Sequence, residues 1–161
     1  MTTAHDIYSE TNPAFCACAL AGFTKTYLSI RANGPEVPIA YLSLPIALSG
    51  DLAGAFLGTN KNTGLLEWLE RSPQVQIGLV ERVNGSLAIV TEAIRFGCFT
   101  HVLKFDEGAR LSMGDRKIRA SAAKALREEP AQVLKRAERL GYWFAKAGST
   151  RAIFDMMGLT V

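Results

Sequence analysis

The run HVLKFDEGARLSM at residues 101–113 leaves the chain few local options. Val102, Leu103, Phe105, Leu111 and Met113 are strand formers on either side of Asp106-Glu107-Gly108. Such a run reads as two short strands, 101–105 and 109–113, joined by a three-residue turn with Gly108 in the left-handed conformation. Helical segments are expected before it, over 63–72, 73–83 and 91–100. Thr63 and Thr91 are placed to cap two of them, and Ser72-Pro73 reads as the cap and first residue of the third. Asn84-Gly85 is a suitable exit from the middle helix. Helix, turn, helix and then a two-stranded wing is the order of a winged helix-turn-helix. The expected fold is therefore mainly α, a winged helix-turn-helix-like core with a small β-hairpin wing, flanked by N- and C-terminal helices.

The flanks supply those helices. Asn12-Pro13 opens one, and Phe15, Ala19, Phe23, Tyr27 and Ile30 follow as a stripe that Arg31-Ala32-Asn33-Gly34 stops. VPIAYLSLPIAL (37–48) is nearly all apolar and reads as buried. Pro38 can start a helix there, and Pro45 is expected to kink or end it. Asp51 can cap a short helix through Phe56, before a polar loop at 58–62. Beyond the hairpin, 116–128 is helical in composition and Pro130 restarts a helix. There Val133, Ala137, Leu140, Phe144 and Ala147 share one face, with Lys135, Arg136, Arg139 and Lys146 mostly opposite. Gly148 ends it, Ser149-Thr150 caps a last helix over 151–157, and Gly158 closes that. With 161 residues, no repeat and no linker, residues 1–161 read as one domain, with parts at 12–58, 63–115 and 116–161.

Apolar residues make up 48% and charged ones 20%, the composition of an ordinary globular protein. No apolar run reaches the length of a membrane span. MTTAHDIYSE lacks the basic start and apolar core of a signal peptide. Three scattered cysteines suit a reducing compartment, so a cytoplasmic location is expected. The net charge of +3 is unevenly placed. Residues 1–100 carry six Lys/Arg against eight Asp/Glu, and residues 101–161 carry twelve against seven.

Few residues invite chemistry. Cys16 and Cys18 lie about 200° apart on a helix, so they cannot grip one metal ion, and Cys98 stands alone. His5 and His101 are the only histidines, and no serine has a nucleophile-elbow context. Gly58–Gly64 carries Lys61 in the wrong order for a phosphate loop. No catalytic, cofactor or metal residue is expected. Major-groove readout needs Arg, Lys, Asn or Gln early in the recognition helix, whereas 86–100 offers Arg95 and the repulsive carboxylate of Glu92. Arg110, Arg116, Lys117 and Arg119 can instead meet an acidic partner or DNA phosphates without reading sequence. Five apolar segments compete for one core, so Trp68, Trp143 or Met156-Met157 are expected to supply exposed docking patches.

Two stretches carry a resemblance: NPAFCACALAGFTKTY near the start and LGYWFAKAGSTRAIFDMMGLTV at the end. With the proline-interrupted run at 37–48, GLLEWL at 64–69 and TEAIRFG at 91–97, they cover nearly the whole chain. The chain is similar to the middle component of bacterial three-component ABC systems, the class that includes Lamassu-type anti-phage defence. It departs from the pattern at Leu159-Thr160-Val161, where a basic, proline-bearing finish is expected. The matching residues are Asn12, Pro13, Phe15, Trp68, Gly141, Trp143, Phe144, Ser149 and Phe154, serving packing or docking. The resemblance implies a non-catalytic adaptor between an SMC/Rad50-like ABC ATPase and an effector, often a nuclease, touching DNA only within the complex and non-specifically. The alternative from the residues alone is a winged-helix DNA-binding transcriptional regulator.

Overall fold

The computed structural model describes residues 12–118 and 128–160. The expectations for 1–11, for the helix over 116–128 and for Arg119 therefore fall wholly or largely outside the described residues. Asn12 begins the first helix as expected: its side-chain oxygen accepts from the Ala14 amide at 2.9 Å, and Pro13 follows in the first turn. This helix, α1 (Pro13–Leu28), is buried on far more than one stripe, because Ala17, Ala19 and Ala21 let neighbours approach closely. Its buried hydroxyls are satisfied at home or across the contact. Thr24 donates to the Leu20 carbonyl, and Thr26 donates to the Glu138 carbonyl of a helix far along the chain at 2.7 Å. The helix stops at Leu28, short of the expected Arg31–Gly34 exit, and Ile30 is exposed rather than part of the stripe.

Helix α2 (Val37–Leu48) is buried over nine of its residues. Pro45 does not end it; the helix runs three residues further. Two groups take up carbonyls near its C-terminus. Ser49 Oγ donates to the Pro45 carbonyl, and Arg136 Nε donates to the Ala47 carbonyl at 2.9 Å. Arg136, expected on a polar face, is thus 4% exposed, with its Nη2 on Glu129 at 3.0 Å. A 3₁₀ turn, Gly50–Phe56, follows at 92° to α2. Asp51 does not cap it; its carboxylate takes a two-pronged contact from Arg82 at 2.8 and 3.0 Å. Among the described residues no single helix is long and apolar enough to cross a membrane.

Residues 65–113 give three helices and a hairpin with shifted boundaries. Helix α3 (Leu65–Arg71) starts after Gly64 at φ +82°, while the Thr63 hydroxyl accepts from the Asn60 amide instead of capping. The helix expected over 73–83 is split. Pro73–Gln76 is a 3₁₀ turn without a side-chain cap, and α4 (Leu79–Gly85) starts after left-handed Gly78. Asn84 and Gly85 lie inside α4, and Ser86 alone separates it from α5 (Leu87–Phe99). Thr91 is therefore mid-helix, not a cap. Its hydroxyl bonds the Leu87 carbonyl at 2.8 Å and lies 2.6 Å from the Tyr41 hydroxyl. The apolar row Val90, Ala93, Ile94 and Gly97 explains why α5 begins a turn early: extending it buries one more position against α1 and α2.

The hairpin pairs β1 (Leu103–Phe105) with antiparallel β2 (Leu111–Met113), Phe105 opposite Leu111. Its left-handed residue is Ala109 at φ 57°, not Gly108. The cause is Asp106, whose Oδ1 accepts from the amides of Gly108 and Arg110 and so moves the reversal one residue on. The hairpin does not stand free. The Leu111 amide donates to the Pro35 carbonyl at 2.9 Å, and Glu36 bridges Arg110. Gly34 permits this approach, since a Cβ there would overlap the Leu111 carbonyl.

The long helix α6 (Glu128–Ala147) lies along α1 and organises the rest. Gly141 makes the crossing close: a Cβ would overlap the Phe23 carbonyl oxygen and the Thr26 hydroxyl. Val133, Ala137, Leu140 and Phe144 are buried as the stripe requires. Trp143 is buried too, stacked on Phe56 at 5.8 Å and tilted against Trp68 at 5.1 Å. Both indoles are satisfied inside, donating at 2.9 Å to the carbonyls of Ala55 (from Trp68) and Asn60 (from Trp143). Gly148, at φ +113°, and Ser149, whose hydroxyl accepts from the Ala152 amide, lead into α7 (Thr150–Met156), as expected. The molecule is mainly helical with one small two-stranded antiparallel sheet among the described residues.

Candidate interaction surface

Helix α5 places its residues by simple phase. Gly97 is the pivot: its backbone lies against Leu103 so closely that a Cβ would collide with that side chain. With Val90, Ala93, Ile94 and Gly97 inward, the 100° step turns Ala88, Glu92, Arg95 and Phe99 outward with Phe96 on their flank, while Leu87 is exposed in the first turn, half a revolution round the helix from Phe96. Phe99 is 85% exposed, and Leu87 and Phe96 are exposed as well. The two charges on this face cancel each other, Arg95 Nη1 lying 3.0 Å from Glu92 Oε1. The outward face of α5 is therefore neutral, and apolar at its C-terminal end, where Phe96 and Phe99 lie. Phe105, on the neighbouring strand, is also exposed, as are Ile77 and Val80 around the start of α4. None of these residues stood out in the sequence. The signal was available as Phe99, with Phe96 on its flank, falling on the side opposite the small inward residues.

The basic set is dispersed. Arg110 turns back onto the chain, donating to the Gly34 carbonyl at 3.1 Å and to Glu36 at 3.4 Å. Arg116 and Lys117 are exposed after the hairpin, beside Asp115. Of the residues matched on resemblance, Asn12 and Ser149 are helix caps, and Gly141 is the close crossing of α6 with α1. Trp68, Trp143 and Phe144 are wholly buried; Phe15 and Phe154 are half-buried, and Pro13 is exposed. Trp68, Trp143 and Met157 are core, which corrects their expected role as exposed docking patches; Met156 is half-buried.

Among the described residues, groups with intrinsic reactivity do not converge. Cys16 is buried, and burial pushes the thiols of Cys18 and Cys98 up, away from the nucleophilic thiolate. His101 sits exposed at φ 63° where the chain enters the hairpin. Among the described residues no three of His, Cys, Asp and Glu group as metal ligands would.

No curated protein and no solved structure matches the chain. A family model does, over residues 2–161, and its match spans every element described above. The chain belongs to the family described as ABC-three component (ABC-3C) system Middle Component 3.

Proposed function

We propose that the chain is a non-catalytic adaptor that bridges an SMC/Rad50-like ABC ATPase and an effector, a nuclease in the simplest case, within a cytoplasmic anti-phage or anti-plasmid defence complex. Family membership supports a place in a multi-subunit ABC system. The observation that carries the bridging role is the outward face of α5, where Phe99 and, on its flank, Phe96 meet water beside a self-neutralised ion pair. Exposed large apolar side chains grouped on one helix are features of a protein-docking surface. On this reading α3, α4, α5 and the hairpin form a winged-helix-like unit whose recognition helix recognises protein.

The second reading, a winged-helix DNA-binding regulator, draws on the same order of helices and hairpin and on exposed Arg116 and Lys117. Its weakness is α5, where Arg95 is engaged by Glu92 and no other outward cation faces the groove. Co-expression with the products of neighbouring genes, followed by size exclusion, separates the two. A complex that survives nuclease treatment and is lost in Phe96→Ser/Phe99→Ser supports the adaptor. A chain that stays alone but binds one duplex over others establishes the regulator. Replacing Arg116, Lys117 and Arg119 by Glu assigns the basic residues. Loss of the complex without DNA makes them protein contacts, and loss of DNA affinity with a shallower salt slope makes them phosphate contacts.

A further inference from the structure

Where α1 ends, the hairpin is tethered and α6 turns into α7, a half-open cleft of about 420 Å³ remains. Its lining includes Tyr27, Arg31, Glu36, Arg110 and Thr150. Three features make it more than a surface dent. Tyr27 is only 4% exposed, and its hydroxyl, which makes no hydrogen bond among the described residues, is open to the cleft. Burial pushes its phenol up, so it is a permanent donor, and it feels the charges of Arg31, Arg110 and Glu36. Arg31 is held in place by one edge: its Nε donates to the Ala145 carbonyl at 2.7 Å, at the end of α6. That bond leaves both Nη groups without a partner among the described residues, in the planar fork that suits a two-oxygen acceptor. Arg110 already faces one carboxylate, the long contact to Glu36 at 3.4 Å.

We propose that this cleft is an oxyanion site that takes a single carboxylate from a partner protein, an Asp or Glu side chain or a chain end, with Tyr27 and the two arginines as donors. The source of the carboxylate rests on the adaptor reading; the chemistry of the cleft does not. Charge selects the carboxylate. Arg31 and Arg110 against Glu36 leave one net positive charge, which one carboxylate neutralises, whereas a phosphate monoester brings close to two negative charges at neutral pH. Duplex DNA is a poor fit, because it needs a track of exposed cations, and here Glu36 lies in the path while Arg151 and Asp155 line the adjoining hollow with opposite charges. A carboxylate seated here would touch the ends of α1 and α6 and the root of the hairpin together.

The test uses the full chain, ¹⁵N-labelled, titrated with N-acetylaspartate methylamide, its asparagine counterpart and inorganic phosphate. The aspartate compound should move the Arg31 and Arg110 Nε–H signals and the amides of 148–150; the asparagine compound should leave them in place. Tyr27→Phe keeps the ring that packs beside Phe23. It should weaken the aspartate compound about tenfold, the loss of one hydrogen bond to a charged acceptor, without lowering Tm. No movement, equal movement with the asparagine compound, or tighter binding of phosphate overturns the assignment. Failure of the adaptor reading looks different: the aspartate compound binds, but no complex forms with the neighbouring gene products. A complex that forms while the aspartate compound leaves the signals unmoved overturns the site alone.

Discussion

Two aromatic groups in this molecule have opposite fates. Phe56, Trp68 and Trp143 interlock under α6 with every indole N–H satisfied, whereas Phe96, Phe99 and Phe105 face solvent at the edge of α5 and the hairpin. The inner group is gathered from three separated stretches that α6 draws together. The outer group comes from one short stretch and is only partly covered among the described residues, Phe99 least of all. The contrast shows that aromatic content does not decide exposure. An aromatic is left outside when its helix has already filled its inward side with other residues, as Val90, Ala93, Ile94 and Gly97 fill the inner side of α5.

The contrast breaks most sharply at Trp143. Trp143→Ala should cost about 4 kcal/mol in urea unfolding, because it opens a large cavity against Phe56 and Trp68. A loss near that of a surface substitution would mean the inner group is not the core. At the hairpin, Ala109→Gly should raise stability by about 0.5–1 kcal/mol, the left-handed strain relieved less the entropy added to the unfolded chain. A fall in Tm would show that Ala109 is not held left-handed.

Asp51 sharpens the comparison from the inner side, since its partner Arg82 joins the turn carrying Phe56 to α4. The hydrogen bonds from Arg82 hold the Asp51 carboxyl below its ordinary value. A lowered folded-state pKa gives stability that is present above the unfolded value and disappears as pH falls through the folded one. Asp51 is largely exposed, so Asp51→Asn should cost at most about 0.5 kcal/mol at neutral pH. That difference should close in acid, in parallel unfolding curves for the two proteins. The smallest effect on stability belongs to the outer group: Phe99→Ser should leave unfolding within about 0.5 kcal/mol while removing a partner from the complex. A large destabilisation would place Phe99 in packing, and an undisturbed complex would take the α5 face out of the docking surface.

Signals that act between near neighbours are legible in the amino-acid sequence. Asn12-Pro13 opens α1, Ser149 caps α7, Gly148 and Gly158 take positive φ, the hairpin lies between 101 and 113, and the stripe of α6 is buried. Each cap, glycine and turn depends on side chain and backbone within a few residues, and the α6 stripe on the helical period alone, so the local sequence determines it. Tertiary structure decided what depends on a distant partner. Thr91 reads as a cap until the apolar face of α5 extends the helix past it and Tyr41, fifty positions away, takes up its hydroxyl. Arg136 reads as a solvent residue until the end of α2 offers the Ala47 carbonyl. The indoles of Trp68 and Trp143 could have faced water or the core. The carbonyls of Ala55 and Asn60 made burial affordable, and only folding brings those groups within reach.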